Sequence, residues 1–502
     1  MNENSEIQAS KRTNAEKIVV NMSSTLAAAS PVGYGSISDQ KNQPESFNEI
    51  KELLYADKRE EIVKITKTSV PLAFTFLLQF LITTITVVTV GRIGTIELGG
   101  VSIANVTYSV STAIFIGLAT CLDTLCPQAY GRGNRTLVLL YFLRCVMISL
   151  AAAIPIVLVW FKSAFLLKLM IQDEQVVAYA SKYLKIMCLT APGYIVFECG
   201  KKFLQSQNDF VTGQRLLWLG VPFNIGMNLF LIKHFGFIGA PIAVALTYNL
   251  IGALMLYKCS KTECWKEIAN ISFKQCFESW STLVSLAIPG IIMLEAEFFA
   301  FEVLTVLAGR FGTTVLAAQS VAASLQSLMF QIPFSFSVAA SNRIAYHIGS
   351  GDLHKCKLAT KVTLINIACV LCAINFSLFT FLGNPLSSIF TRDKEVVKIS
   401  CSILKIIAVN QLYDVFNILS AGCLRAQGRQ KIGGYLNLIS YYVIGLPVGI
   451  YLGFQTSLGV DGFWVGLGVG IFVLATAETY FVVRSNWNEI IERSKKLHGL
   501  GV

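Results

Sequence analysis

Stretches of about 20 predominantly apolar residues recur along this chain, and that is the length an α-helix needs to cross the hydrocarbon of a bilayer. They lie near 70–90, 104–126, 138–160, 177–198, 213–233, 236–257, 282–308, 315–341, 360–382, 398–422, 433–454 and 461–483. About twelve spans are therefore predicted, although Ser, Thr and Gln interrupt 104–126 and 315–341. In lipid every backbone N–H and C=O must find its partner within the segment, so such a chain is restricted to a helical bundle. Composition agrees. The residues are 54% hydrophobic and 14% charged, against about 25% charged in soluble domains, and the mean hydropathy is +0.60. The expected fold class is an all-α polytopic membrane protein, with no soluble catalytic domain left over.

Residues 1–48 are rich in Ser, Asn, Ala and Gln and lack an apolar period, so they read as a disordered tail. No long apolar region follows a basic start, and a cleavable signal peptide is not expected. Residues 49–66 have the pattern of an amphipathic helix lying at the membrane surface before the first span. The thirteen cysteines scatter, mostly through apolar spans, and read as small buried hydrophobes; no cofactor or metal is expected.

Positive charge sets the orientation. One side collects Arg132, Arg135, Lys201, Lys202, Lys258, Lys261, Lys266, Lys274, Arg343, Lys355, Lys357, Lys361, Arg425, Arg429, Lys431, Arg493, Lys495 and Lys496. The other has fewer, among them Arg92, Lys162, Lys233, Arg310, Arg392, Lys394 and Lys398. The richer side, with both termini, is expected to be cytosolic. The formal charge of +11 then reflects topology and contact with anionic lipid rather than nucleic acid.

The chain also repeats itself. VGRIGTIEL at 90–98 answers AGRFGTTVL at 308–316, and Pro71, Ser102 and Ala104 answer Pro289, Ser320 and Ala322, all 218 residues apart. AYGRG at 129–133 answers AYHIG at 345–349, and FLQSQN at 203–208 answers CLRAQG at 423–428. Two six-helix halves are implied, 61–260 and 261–490, between a tail of 1–60 and a short C-terminal tail of 491–502. Six is even, so both halves start on the same side and the repeat is parallel. Parallel repeats are a transporter architecture with a site near mid-membrane.

The seventh predicted span holds three carboxylates, Glu295, Glu297 and Glu302, with no basic residue among them. A charge at the bilayer centre costs about 2.5–3.5 kcal/mol or more, so such residues usually face a cavity and serve function. Glu295 and Glu302 are seven apart and share nearly one helix face, whereas Glu297 points elsewhere. The tenth span offers Asn410, Asp414 and Asn417 at i, i+4, i+7, and the eighth offers Gln319 and Gln326. No Lys or Arg is expected at matching depth. Burial and like-charge repulsion penalise the ionised carboxyl, so an acid here can exchange a proton for a cation. The alternative for any single Glu is a headgroup contact or a bond to a neighbouring helix. The first half is milder, with Gln79, Asp123, Glu198, Asn224 and Asn228. Glu198, one turn before Lys201 and Lys202, reads as half of a surface ion pair, Asp123 as either structural or functional, and Arg425 as a cytosolic anchor.

From about residue 60 to 485 the chain resembles the multidrug and toxic compound extrusion (MATE) transporters of the eukaryotic branch. PLAFTFLLQFLITTITVVTVGRIGTIELGGVSIAN resembles the family's first helix and loop, and CLDTLCPQAYGRG its second-helix signature, with Asp123 where Glu is usual. LEAEFFAFE is similar to the seventh-helix motif of two acids five apart, landing on Glu297 and Glu302. FSVAASNRIAYHIGSG and YDVFNILSAGCLRAQGRQKIGGYLN are similar to the eighth-helix ending and the tenth-to-eleventh segment, with an acid at Asp414. The resemblance implies proton-coupled antiport of organic cations or other xenobiotics and metabolites, with Na+ as the family's other coupling ion. It places the proton site in the second half, where the motif acids are Glu297, Glu302 and Asp414. From the residues themselves, the intramembrane polar groups Glu295, Gln319, Asn410, Asn417 and Gln79 are expected in the substrate cavity. Glu295 is an acid outside the motif, and Ser324 stands where some animal members carry an acid. The expected partners are a small organic molecule and membrane lipid, for a monomer in the plasma or vacuolar membrane. A flippase for lipid-linked precursors would need a large, strongly basic central cavity instead. A membrane enzyme would need a nucleophile–base pair or several His at depth, and the four His were expected in loops or the tail.

Overall fold

In a computed structural model, the residues described are 44–168 and 173–499, and among them the chain forms helices and no strands. The first half runs α1 (Pro44–Val90), α2 (Thr95–Ala119, continued by Leu122–Gly131), α3 (Arg135–Phe161), α4 (Glu174–Met187, continued by Ala191–Ser206), α5 (Val211–Phe235) and α6 (Gly239–Cys259). The second runs α7 (Trp280–Ala308), α8 (Thr313–Ser350), α9 (Leu353–Lys361, continued by Ala368–Phe390), α10 (Lys394–Ala426), α11 (Gln430–Leu438, continued by Leu446–Gln455) and α12 (Val460–Val483). A terminal helix, α13 (Trp487–Gly499), follows.

Nine helical stretches among the described residues are long and apolar enough to cross a membrane, and one of them, Val211–Cys259, covers both α5 and α6. Interrupted α4 and glutamate-bearing α7 complete the twelve rods. The spans near 104–126 and 315–341 form despite their Ser, Thr and Gln, because hydroxyls bond back one turn: Thr112 to Tyr108 O and Ser320 to Leu316 O. Large apolar side chains such as Ile154, Val306 and Val443 are more than half exposed, as lipid rather than water permits.

Two expectations are corrected. The proposed disordered tail lies outside the described residues up to 43, but Pro44–Asn48 are helical. Residues 49–66 fall within the same helix as the first span rather than in a separate surface helix. Two features left no trace in the sequence reading: π-helical turns at Val362–Ile367 in α9 and Ile439–Gly445 in α11.

The repeat is visible in three dimensions. Gly94 and Gly312, 218 apart, each precede the second helix of their half. Tyr130 and Tyr346, equivalent in the repeat, meet with ring centroids 6.3 Å apart. Beside them α2 and α8 touch backbone to backbone, since a Cβ on Gly349 would overlap the Gln128 main chain. Equivalent residues meet in this way only near a pseudo-two-fold axis.

Candidate functional site

The seventh span stays helical through Pro289, and its acids part company. Glu297 turns into a narrow cavity with Met293, Phe334, Asn417, Arg425 and Asn437, of about 20 Å³. That is room for roughly one water. Asp414 on α10 is 1% exposed. It accepts from Gln411 Nε2 at 3.1 Å, Gln326 Nε2 at 3.3 Å and Asn417 Nδ2 at 3.4 Å. Gln411 in turn accepts from Asn375 Nδ2 at 2.7 Å and donates to Gln326 Oε1 at 3.2 Å. Asn417 ties the Glu297 cavity to Asp414, and Asn437, also in its wall, donates to Glu478 on α12.

Glu478 was missed in the sequence. Fully buried on α12, it accepts from Asn437 Nδ2 at 3.4 Å, and its Oε2 has no hydrogen-bond partner. The signal was present, an acid inside the apolar span predicted over 461–483.

The structure thus brings together Glu297, Asp414 and Asn417, and leaves the other expected site residues apart. Glu302 is exposed, one and a half turns beyond Glu297. Glu295 lies against Tyr442, with both carboxylate oxygens buried and unbonded. Asn410 donates to Trp464 O at 3.0 Å and accepts from Tyr413 OH. Gln319 accepts from Trp464 Nε1 at 2.7 Å, so these two amides fasten α8 and α10 to α12.

In the first half Gln79 bridges an ion pair, donating to Glu198 Oε1 at 2.8 Å and accepting from Lys201 Nζ at 2.9 Å. Lys201 and Glu198 are 2.8 Å apart and both buried, not a surface pair as expected: Lys201 also lies over the Phe197 ring, which shields it. Lys202 meets Asp123 at 2.8 Å, also buried. Arg425 is corrected as well. It is 4% exposed and reaches the Glu297 cavity, donating to Ser337 Oγ at 3.0 Å over the Phe334 ring. Thr124 of the first half covers this helix end by donating to Arg425 O.

The halves are tied together around that point. Gln128 Nε2 donates to Ala426 O at 2.8 Å, and Gln430 Nε2 to Thr124 Oγ1 at 2.8 Å. Helix α13 caps this junction: Ser494 Oγ and His498 Nε2 reach Gln128 Oε1 at 2.9 and 3.2 Å, and Arg132 donates to Lys495 O. The His were expected in loops, yet all four lie in helices, and His347 and His498 are buried. Burial, then the Arg132 guanidinium, push His498 down to about 4. An unfolded His titrates near 6.5, so docked α13 binds fewer protons than free α13 between those values. Docking is therefore strongest above about 6.5 and weakens as pH falls towards 4. Deuterium exchange over Trp487–Gly499 is expected to rise through that window in the wild type and to lose its pH dependence in His498→Gln.

Among the described residues no group of His, Cys, Asp and Glu could hold a metal, and all thirteen cysteines are free thiols. No C-x-x-C is expected from the scattered cysteines, but Cys369 and Cys372 form one; Cys372 Sγ donates to Leu412 O at 3.3 Å.

Comparison with known proteins agrees with this architecture. The MatE family model matches residues 71–230 and 289–451, once in each half. An uncharacterized transporter of Schizosaccharomyces pombe is 35% identical over 87% of this chain and 82% of its own length. Human multidrug and toxin extrusion protein 1 is 31% identical over 87% of this chain and 77% of its own. The crystal structure of the eukaryotic MATE transporter AtDTX14 aligns with a TM-score of 0.80 at 26% identity, covering 89% of this chain and all of that one. With its all-helical bundle, its two matching halves and these relatives, the chain belongs to the MATE family and is a multi-pass membrane transporter rather than an enzyme.

Proposed function

We propose that this protein is a secondary antiporter that moves an organic cation, drug or metabolite out of the cytosol in exchange for protons, by alternating access of two six-helix lobes. One observation carries the reading. In the second lobe, among the described residues, Glu297 and the amides bonded to Asp414 and Glu478 line one cavity with a single cation, Arg425, whereas in the first lobe Glu198 and Asp123 each have their own lysine. Only the second lobe can change its charge by exchanging a proton for a cation.

The proton fits better than Na+. Asp414 accepts from three side-chain amide N–H donors, an arrangement that suits a carboxylate gaining and losing a proton, whereas a metal ion would require those amides to turn their oxygens inward. No cofactor enters the mechanism, and the partners are a small organic molecule and lipid, for a monomer in the plasma or vacuolar membrane. A flippase would want a large, strongly basic central cavity: the Glu297 cavity holds one arginine, and the basic lining formed by Arg392, Lys394, Lys398 and Lys405 belongs to the second half alone, around the start of α10. Reconstituted vesicles test the proposal: addition of an exported cation is expected to drive proton movement, and transport without any proton or sodium flux would refute it.

Both termini are placed in the cytosol, from the Lys/Arg asymmetry. Asn21 heads an Asn-Met-Ser sequon and is expected to stay unglycosylated in a native membrane. Glycan on Asn21 would invert the topology.

A further inference from the structure

At the end of the second half opposite α13, a cavity of about 890 Å³ is lined by Arg392, Lys394, Lys398 and Lys405 and by no acid. Among the described residues none of the four cations has a carboxylate within 4 Å. Asp461, outside this lining, accepts from the lining residue Ser402 through its Oγ at 2.7 Å, and Asp393 caps the start of α10.

Lys394, Lys398 and Lys405 lie at i, i+4 and i+11, hence on one face of α10. Val409 and Leu412 continue that face and are 50% and 43% exposed. Lys405 lies seven residues, or about 10 Å at 1.5 Å each, inside the span predicted to start at 398. An unpaired ammonium at such depth is costly unless it snorkels or meets an anion.

Lys405 also lines a second space. A groove of about 470 Å³ between α10 and α12 begins at Lys405 and is otherwise walled mostly by Ile406, Val409, Val465, Val469 and Phe472. A basic, polar chamber therefore opens through one lysine into an apolar trough on the lipid-facing side. That is the polarity of an amphiphile with an anionic head.

We propose that Lys405, with Lys398 and Arg392, holds the phosphate of an anionic phospholipid whose acyl chain lies in the α10–α12 groove. The lipid neutralises the deep lysine and wedges two helices that also carry Asp414 and Glu478. The site is separate from the acid cluster, and the proposal stands whether or not transport is proton-coupled.

The test uses the full-length protein in detergent, titrated with dioleoyl phosphatidylglycerol or dioleoyl phosphatidylcholine and read by native mass spectrometry. Wild type is expected to retain phosphatidylglycerol about tenfold more strongly. Lys398→Gln/Lys405→Gln is expected to reduce that preference to near unity while keeping its lipid-free melting temperature, and Lys405→Arg to retain it. Equal retention of both lipids by wild type would overturn the proposal, as would an unchanged preference in the double variant. Displacement of phosphatidylglycerol by millimolar inorganic phosphate would also overturn it, assigning the chamber to a free anion.

Discussion

Asp414→Asn and Glu297→Gln are each expected to reduce pH-gradient-driven transport to background while leaving a protein that inserts, purifies and melts normally. Both substitutions keep shape and remove only the ability to gain and lose a proton. Asp414 accepts three amide N–H bonds. In the Asn variant one of these must face an NH2 group, which a flip of Gln326 or Asn417 can accommodate. Glu297 lines its cavity without a hydrogen bond of its own to lose. Vesicles loaded at acid pH and assayed for uptake report the outcome. Wild-type coupling in either well-folded variant would remove that residue from the mechanism. Glu302→Gln is the informative contrast: it lies outside the cluster, so its transport is expected to stay closer to wild type.

The second large effect is on affinity. A ligand shifts a conformational or protonation equilibrium only through its different affinity for the two states, and the coupling is reciprocal. If one proton and one permanently charged organic cation compete for the Glu297–Asp414 neighbourhood, substrate affinity is expected to rise with pH by up to about tenfold per unit. The slope is greatest where the cluster is mostly protonated and fades once it is ionised. Titration in nanodiscs between pH 5 and 8 measures it. Affinity that is flat across this range for an identified cationic substrate would exclude competition, and a dependence on sodium alone would point to the other coupling ion.

Much of this could be read from the residues, and what could not has physical reasons. Three carboxylates in an apolar run need no partner information to stand out, which is why α7 and Asp414 were found. The repeat at a spacing of 218 residues was legible because Gly94 and Gly312 mark equivalent turns, and the family model matches once in each half. Pair formation was not legible in the same way. Lys202 meets Asp123 across 79 residues of sequence, and nothing local in KKFLQSQN says that its lysines turn inward. Arg425 stood among other basic residues at a helix end, and only the Leu122–Gly131 segment of the other half, absent from its own neighbourhood in sequence, buries it. The π-turns of α9 and α11 add one residue to a turn; Gly445 and Pro447 close the second, but no Pro or Gly marks Val362–Ile367.

The pairing of Glu198 with Lys201 and of Asp123 with Lys202 has a consequence for how the transporter meets the membrane potential. A charge carried through a potential of 100 mV costs or yields about 2.3 kcal/mol. Two internally neutral pairs move through the field without contributing, however far their half swings. On the proposed mechanism the only net charge crossing is then that of the second half and its occupant. When a monovalent cation leaves with the acids ionised and a proton returns with them neutralised, the two legs carry equal charge in total. Voltage would drop out of the driving force, and the pH difference alone would set how steeply such a substrate can be concentrated on the far side.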